Sequence, residues 1–220
     1  MEHLSTAQSI AVWLIPVLFA ITVHEVAHGW VASLLGDKTA KILGRLTLNP
    51  IKHIDLVGTI LVPGLLIITQ AGFVFGWAKP VPVNYFNLNH PRRDMAFVAA
   101  AGPLSNLMMA IIWATGLKIG IYLTQIENPA GFWLVYTSQA GILINIWLMV
   151  LNLIPIPPLD GSRVVASLLA TKAAQLYSRI EPFGFIILMV LIFTNVIQAA
   201  ITPPTLFIVS LLSQIFNLPL

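Results

Sequence analysis

Apolar residues in this chain run in long blocks, and the blocks set the expected architecture. Ile10–Leu35 is the first, and Val57–Trp77 the second, interrupted by Pro63-Gly64 and Gly72. Met95–Leu123 opens on an Ala-Ala-Ala-Gly-Pro stretch, and Phe132–Leu153 and Phe183–Ile201 follow. Leu206–Leu218 is shorter, roughly 20 Å as a helix at 1.5 Å per residue, and marginal for a full crossing. The blocks predict an all-α polytopic membrane protein of about five to six transmembrane or re-entrant helices. Two polar stretches read differently. Lys41–Asn49 roughly alternates polar and apolar residues. Lys79–Asn84 is extended, because each proline fixes its own φ and biases the residue before it toward β or polyproline geometry. Together they predict a small membrane-associated β-hairpin or sheet.

Composition agrees with the blocks. Of 220 residues, 58% are hydrophobic and only 9% charged, against roughly 25% charge in a soluble domain. Such a chain cannot coat a water-soluble surface of this size. It has no basic tract of the kind nucleic-acid binding requires. It also has no cysteine, so any metal must be held by nitrogen and oxygen donors. The first block is too long for a signal-peptide core and contains Glu25 and two histidines, so it is expected to be a mature transmembrane helix. No repeat or soluble module interrupts the sequence. The expectation is one membrane-embedded domain over 1–220, with a core at about 10–170 and C-terminal helices at about 180–220.

Charge placement bears on orientation. Lys38, Lys41, Arg45 and Lys52 follow the first block; Lys79, Arg92 and Arg93 precede the third; Arg163, Lys172 and Arg179 follow the fourth. The loop near Glu127 and both termini carry neither Lys nor Arg. If Val57–Trp77 crosses the bilayer, the first two basic clusters fall on opposite faces. If it enters and returns, all three share one face, expected to be the cytoplasmic side of the plasma (inner) membrane. Re-entry is the favoured expectation, with Pro63-Gly64 as the break.

The chemistry concentrates in few residues. His24-Glu25-Val26-Ala27-His28 is an H-E-x-x-H sequence. On a helix, positions i and i+4 share a face, so both imidazoles reach one metal ion and Glu25 beside them can take a proton from a water. Ionisable residues at membrane depth cost at least a few kcal/mol each and mark function by default. A tetrahedral catalytic zinc needs a third protein ligand and one open position. Asp160, in Asn152-Leu-Ile-Pro-Ile-Pro-Pro-Leu-Asp-Gly161, is the strongest candidate, since three prolines break the helix before it. The alternative for Asp160 is an N-cap of a following helix. His3, His53 and His90 are terminal or in polar loops and are weaker candidates. Asn106 and Asn152 stand in apolar helices. Either could bond substrate backbone or a developing oxyanion, and either could serve as interhelical glue.

Together, His24-Glu-Val-Ala-His28-Gly, Ala101-Gly-Pro-Leu-Ser-Asn106 and Asn152 to Gly161 resemble the site-2 protease family of intramembrane zinc metalloproteases. Gly44-Arg-Leu-Thr-Leu-Asn-Pro50, His53-Ile-Asp55 and Phe75-Gly-Trp-Ala-Lys-Pro-Val-Pro-Val-Asn84 resemble its short, membrane-only branch, without PDZ or CBS domains. The resemblance runs from about residue 20 to 170. It implies His24, His28 and Asp160 as ligands of one Zn2+ per chain and Glu25 as general base. It also implies cleavage within or near transmembrane helices of other membrane proteins, in regulated intramembrane proteolysis. One departure is Leu56, where the branch commonly has Pro.

Two other readings compete. A metal transporter or sensor would use these ligands without hydrolysis, but would favour a chain of intramembrane ligands leading to both faces. Two histidines and a carboxylate can also hold Fe(II). For a protease, the substrate helix must be unwound locally, and a free strand edge is one way to supply its backbone with partners. Pro80 and Pro82 blunt one edge of Lys79–Asn84. Val81 and Val83 are then expected to pair with Lys41–Asn49, whose free edge would receive substrate.

Overall fold

A computed structural model describes residues 4–69 and 76–219. Helix α1 (Thr6–Leu34) starts at a capping box: Ser5 Oγ accepts from Gln8 N–H, and the Gln8 side chain accepts from Ser5 N–H, so two otherwise orphaned donors are satisfied. The chain leaves α1 through Gly36, whose φ of 112° only glycine adopts readily. A helical turn, α2 (Thr39–Ile42), follows, and a 3-10 turn spans Pro50–His53.

The two ends of the second apolar block are joined by hydrogen bonds. A π-helical turn (Leu56–Leu61), capped by Asp55, runs into α3 (Val62–Ile68). Trp77 N–H then donates to Gly58 O (3.0 Å), and Thr59 Oγ1 donates to Trp77 O (2.8 Å). The two ends of the block therefore meet. Helix α3 carries through Pro63-Gly64, with the proline in its first turn, where a missing N–H costs little. The expected break at that pair is therefore not found. Residues 70–75, including Gly72 and Phe75 of the sequence motif, lie outside the described residues.

The expected β-hairpin is not found: among the described residues there is no strand. Lys41 and Ile42 belong to a helical turn, and Gly44 takes a left-handed φ of 63° that interrupts extension. Lys79–Asn84 is extended, but its donors go elsewhere. Lys79 N–H bonds His53 O (2.9 Å), Val81 N–H bonds Glu25 Oε2 (2.7 Å) and Asn84 N–H bonds Asp37 Oδ2 (2.6 Å). The link to the 41–49 region runs through a side chain, Arg45 Nη2 to Lys79 O (2.9 Å). With no ladder there is no free strand edge at 41–49.

Helices α4 (Pro91–Gln125) and α5 (Pro129–Asn152) form the centre. Ala110, Ala114 and Leu117 of α4 meet Ile142, Ile146 and Met149 of α5, all buried. The small residues let the two backbones approach, which matters where lipid offers no hydrophobic drive for association. Helix α6 (Asp160–Leu168) packs back on α4, where Arg92 Nε donates to Ser167 O (2.9 Å). Then come α7 (Thr171–Ser178), α8 (Gly184–Phe193) and α9 (Val196–Phe216). The break near the C-terminus falls at Asn195, in a left-handed conformation (φ 59°), and α9 runs through Pro203-Pro204. The expected division between Ile201 and Leu206 is therefore displaced. Prolines are accepted inside membrane helices because neighbouring groups re-satisfy the backbone. Among the described residues, five segments are long and apolar enough to cross a bilayer: α1, α4, α5, Thr171–Phe193 and α9. The chain is a multi-pass membrane protein.

Candidate metal centre

His24 and His28 lie one turn apart on α1 and are buried. Each ring is held by α4. His24 Nδ1 donates to Asn106 Oδ1 (2.6 Å), and His28 Nδ1 donates to Val98 O (2.7 Å). A carbonyl oxygen only accepts, so the His28 proton sits on Nδ1 and its Nε2 is bare. Gly102 of α4 makes room for the rings: a Cβ there would lie 2.5 Å from His28 Cε1 and Nε2 and 2.6 Å from His24 Cε1.

Asp160 arrives from the other side. The cap of α6 is Leu159, and Asp160 is the first helical residue, so its carboxylate does not cap the helix. Gly161 seats that start against the end of α5, since a Cβ there would lie 2.3 Å from Leu153 O. The loop before it is clasped from the C-terminal side: Tyr177 Oη donates to Pro155 O (2.7 Å), and Gly184 abuts Pro157.

The three side chains converge. His24 Nε2 and His28 Nε2 are 3.1 Å apart. Asp160 Oδ2 lies 3.1 Å from the first and 3.2 Å from the second. Donors about 2.0–2.1 Å from one tetrahedral zinc stand about 3.3 Å apart, so the triangle fits that ion. With both Nδ1 atoms donating, two imidazole lone pairs and a carboxylate oxygen face one another with no proton between them. Asp160 Oδ2 is buried and has no hydrogen-bond partner. Such a cluster of acceptors is repulsive unless a cation sits among them. Among the described residues, His24, His28 and Asp160 are the group that could hold a metal.

Glu25 follows His24 on α1, and its Oε2 accepts from Val81 N–H (2.7 Å) in the 79–84 segment. Its Oε1 makes no hydrogen bond among the described residues. Asn106 does not offer a donor to a substrate oxyanion here, because its Nδ2 is shared between Ala20 O (3.2 Å) and Asn145 Oδ1 (2.9 Å). Asn152 Nδ2 bonds Leu148 O within its own helix (2.9 Å), which uses one of its two N–H groups. His53 is buried, with Nε2 against Thr47 O (2.9 Å), and exposed His90 lies beside Arg93. Neither joins the cluster, and His3 lies outside the described residues. Asn145 is the participant that the sequence did not single out, although an amide inside an apolar helix is a legible signal. Gly102 lies within a sequence motif that gives it no role of its own, and Val81, expected to pair with Lys41–Asn49, bonds Glu25 instead.

Residues 118–195 match peptidase family M50. The Bacillus subtilis protein named "Putative zinc metalloprotease YwhC" is 39% identical over 189 residues, covering 82% of this chain and 80% of that protein. "Putative zinc metalloprotease Rip2" of Mycolicibacterium smegmatis is 30% identical over 180 residues, covering 80% of this chain and 64% of its own length. Its namesake in Mycobacterium tuberculosis H37Rv is 27% identical over 184 residues, covering 83% of this chain and 65% of that protein. The chain thus spans four-fifths of YwhC but less than two-thirds of the Rip2 proteins. No solved structure matches it. Identity at this level across most of both chains, joined to a triangle of donors sized for zinc, means that the chain belongs to the M50, or site-2 protease, family and is a zinc metalloprotease.

Proposed function

We propose that this enzyme hydrolyses peptide bonds in or near the transmembrane segments of other membrane proteins, as a step in regulated intramembrane proteolysis. The observation that carries the reading is the position of the cluster. Two of its three donors lie on α1, a 29-residue apolar helix, so the reacting bond must come to membrane depth.

His24, His28 and Asp160 are assigned as the zinc ligands and Glu25 as the general base. Zinc held there would supply a Lewis acid that polarises the scissile carbonyl and acidifies a water. Glu25 accepts the proton at Oε1, the oxygen left free by Val81, and delivers it to the departing amine. Asn106 holds His24 rather than the substrate. The positive-inside rule supports assigning the basic clusters at 38–52, 79–93 and 163–179 to the cytoplasmic side, in the plasma (inner) membrane.

A cluster confined to one site, with no ligand chain toward both faces among the described residues, favours hydrolysis over transport. The test compares membrane proteomes of cells carrying the active protein or Glu25→Gln. Full-length membrane proteins should accumulate with the variant, which should keep about one zinc per chain. His24→Ala, His28→Ala and Asp160→Ala should each lose zinc and activity together. Identical membrane proteomes would sink the proposed substrate class. Wild-type zinc affinity in Asp160→Ala would sink the ligand assignment.

A further inference from the structure

A single lone pair on His24 is controlled by a hydrogen-bond chain that starts two helices away. Asn145, on α5, is fully buried, and its Nδ2 donates to Gly141 O (2.8 Å). A backbone carbonyl can only accept, so the amide face of Asn145 is turned toward Gly141 and its Oδ1 toward α4. That oxygen accepts from Asn106 Nδ2 (2.9 Å), which also reaches Ala20 O (3.2 Å). Asn106, equally buried, therefore has its NH2 held by two acceptors, and its Oδ1 must face His24. The contact of 2.6 Å there requires a proton on His24 Nδ1. The consequence is a bare Nε2, pointing at His28 Nε2 and Asp160 Oδ2.

Each link has one permitted direction. Reversing Asn106 would set its NH2 against the proton-bearing face of His24 and its oxygen against two other oxygens. We propose that Asn145 is a positioning residue for the metal centre, acting through Asn106 to fix the tautomer and ring orientation of His24. The chain joins α5, α4 and α1 and makes assembly of the three-helix core the condition for a competent ligand. This inference rests on the assignment of His24 as a zinc ligand.

The test measures zinc affinity of the purified full-length protein in detergent micelles, by competition with a chromophoric chelator. Folding is followed by tryptophan fluorescence. Outer partners of a ligating histidine are worth about 10–100-fold in metal affinity. Asn145→Leu should therefore weaken zinc binding about 10-fold or more. Asn145→Asp keeps an oxygen that can accept from Asn106 and should lose clearly less affinity than Asn145→Leu. In an Asn106→Ala background, Asn145→Leu should add no further loss, because its route to His24 is already cut. A folded Asn145→Leu with wild-type affinity overturns the proposal. So do equal losses in the Leu and Asp variants, or full additivity with Asn106→Ala. If Asn145→Leu does not fold, Asn145→Ala is read in its place by the same criteria. His24→Ala separates the two layers. If it keeps wild-type zinc affinity, the ligand assignment itself fails; if it loses zinc while Asn145→Leu does not, only the chain fails.

Discussion

The main-chain N–H of Val81 donates to Glu25 Oε2 over 2.7 Å, joining a loop outside the helical core to the proposed general base. Pro80 and Pro82 have no N–H, so Val81 is the one donor the backbone offers across these three residues. The strap that carries it is fixed from several directions. Arg45 Nη2 donates to Lys79 O (2.9 Å), Lys79 N–H to His53 O (2.9 Å) and Asn84 N–H to Asp37 Oδ2 (2.6 Å). Gly29, one turn beyond Glu25 on α1, makes the approach possible, since a Cβ there would lie 2.6 Å from Val81 Cγ1.

A hydrogen bond to a charged group is worth about 1.5–3 kcal/mol, enough to decide which carboxylate oxygen stays free for proton transfer. Val81→Pro removes the donor and keeps an extended φ. We expect about a 10-fold or greater fall in kcat with zinc content unchanged. Val81→Ala keeps the N–H and should stay near wild type. A peptidase assay in micelles with parallel metal analysis distinguishes them, and equal rates for the two variants would remove Val81 from the mechanism.

Asp37 holds the far end of the same strap. Burial pushes its carboxyl pKa up. Hydrogen bonds from the Thr39 and Asn87 side chains and from Asn84 and Thr39 N–H outweigh that and hold it below the usual carboxylate value. A folded-state pKa below the unfolded one gives stability that is present above the unfolded value, about 3.9, and lost as pH falls through the folded value. Asp37→Asn cannot accept at both oxygens, so its thermal midpoint should lie below wild type at neutral pH. The gap should shrink below about pH 4. A gap independent of pH would mean that Asp37 acts only through its shape.

Much of this was legible in the sequence, and the failures have physical causes. His24, His28 and Asp160 converge because i, i+4 spacing on a helix is fixed geometry and a proline-broken segment leaves little freedom for Leu-Asp-Gly. The long blocks became helices with ends displaced by a few residues, because capping residues such as Ser5 and Asn128 lie outside the apolar stretch. The strands failed because alternation at 41–49 says nothing about where backbone donors go. At 79–84, the carboxylates of Glu25 and Asp37 took backbone donors that a ladder would have used. Asn106 was singled out as polar in an apolar helix, but its role depended on Asn145, a partner 39 positions away.

Gly102 gives a direct check on the packing of the rings. A methyl group at this position would lie 2.5 Å from His28 Nε2, closer than real Cβ contacts occur. The rings are tied at Nδ1 to Asn106 and Val98 O, on the same helix as Gly102, so moving them off a methyl group would break those bonds. Gly102→Ala should therefore lose zinc affinity and activity while helix content by circular dichroism stays unchanged. Wild-type zinc affinity in that variant would contradict the ring positions.

The proposed membrane topology rests on re-entry of the second apolar block and can be read chemically. The bond from Trp77 N–H to Gly58 O (3.0 Å) brings the second apolar block back to where it began. Residues before and after it should then face the same side. With α4 crossing and α5 returning, the segment after α5 would rejoin that side and the Glu127 loop would lie opposite. Lys118 does not disturb this assignment. It is exposed on α4 seven residues before Gln125, about 10 Å from the helix end at 1.5 Å per residue, within reach of the interface for a snorkelling side chain. The chain has no native cysteine, so single cysteines report cleanly. Those at Lys41, Arg92 and Lys172 should all react with a membrane-impermeant maleimide from the basic side in inverted vesicles. One at Glu127 should react only from the other face. Labelling of positions 41 and 92 from opposite faces would mean that the second block crosses the bilayer, and the shared cytoplasmic placement of the three basic clusters would fall with it.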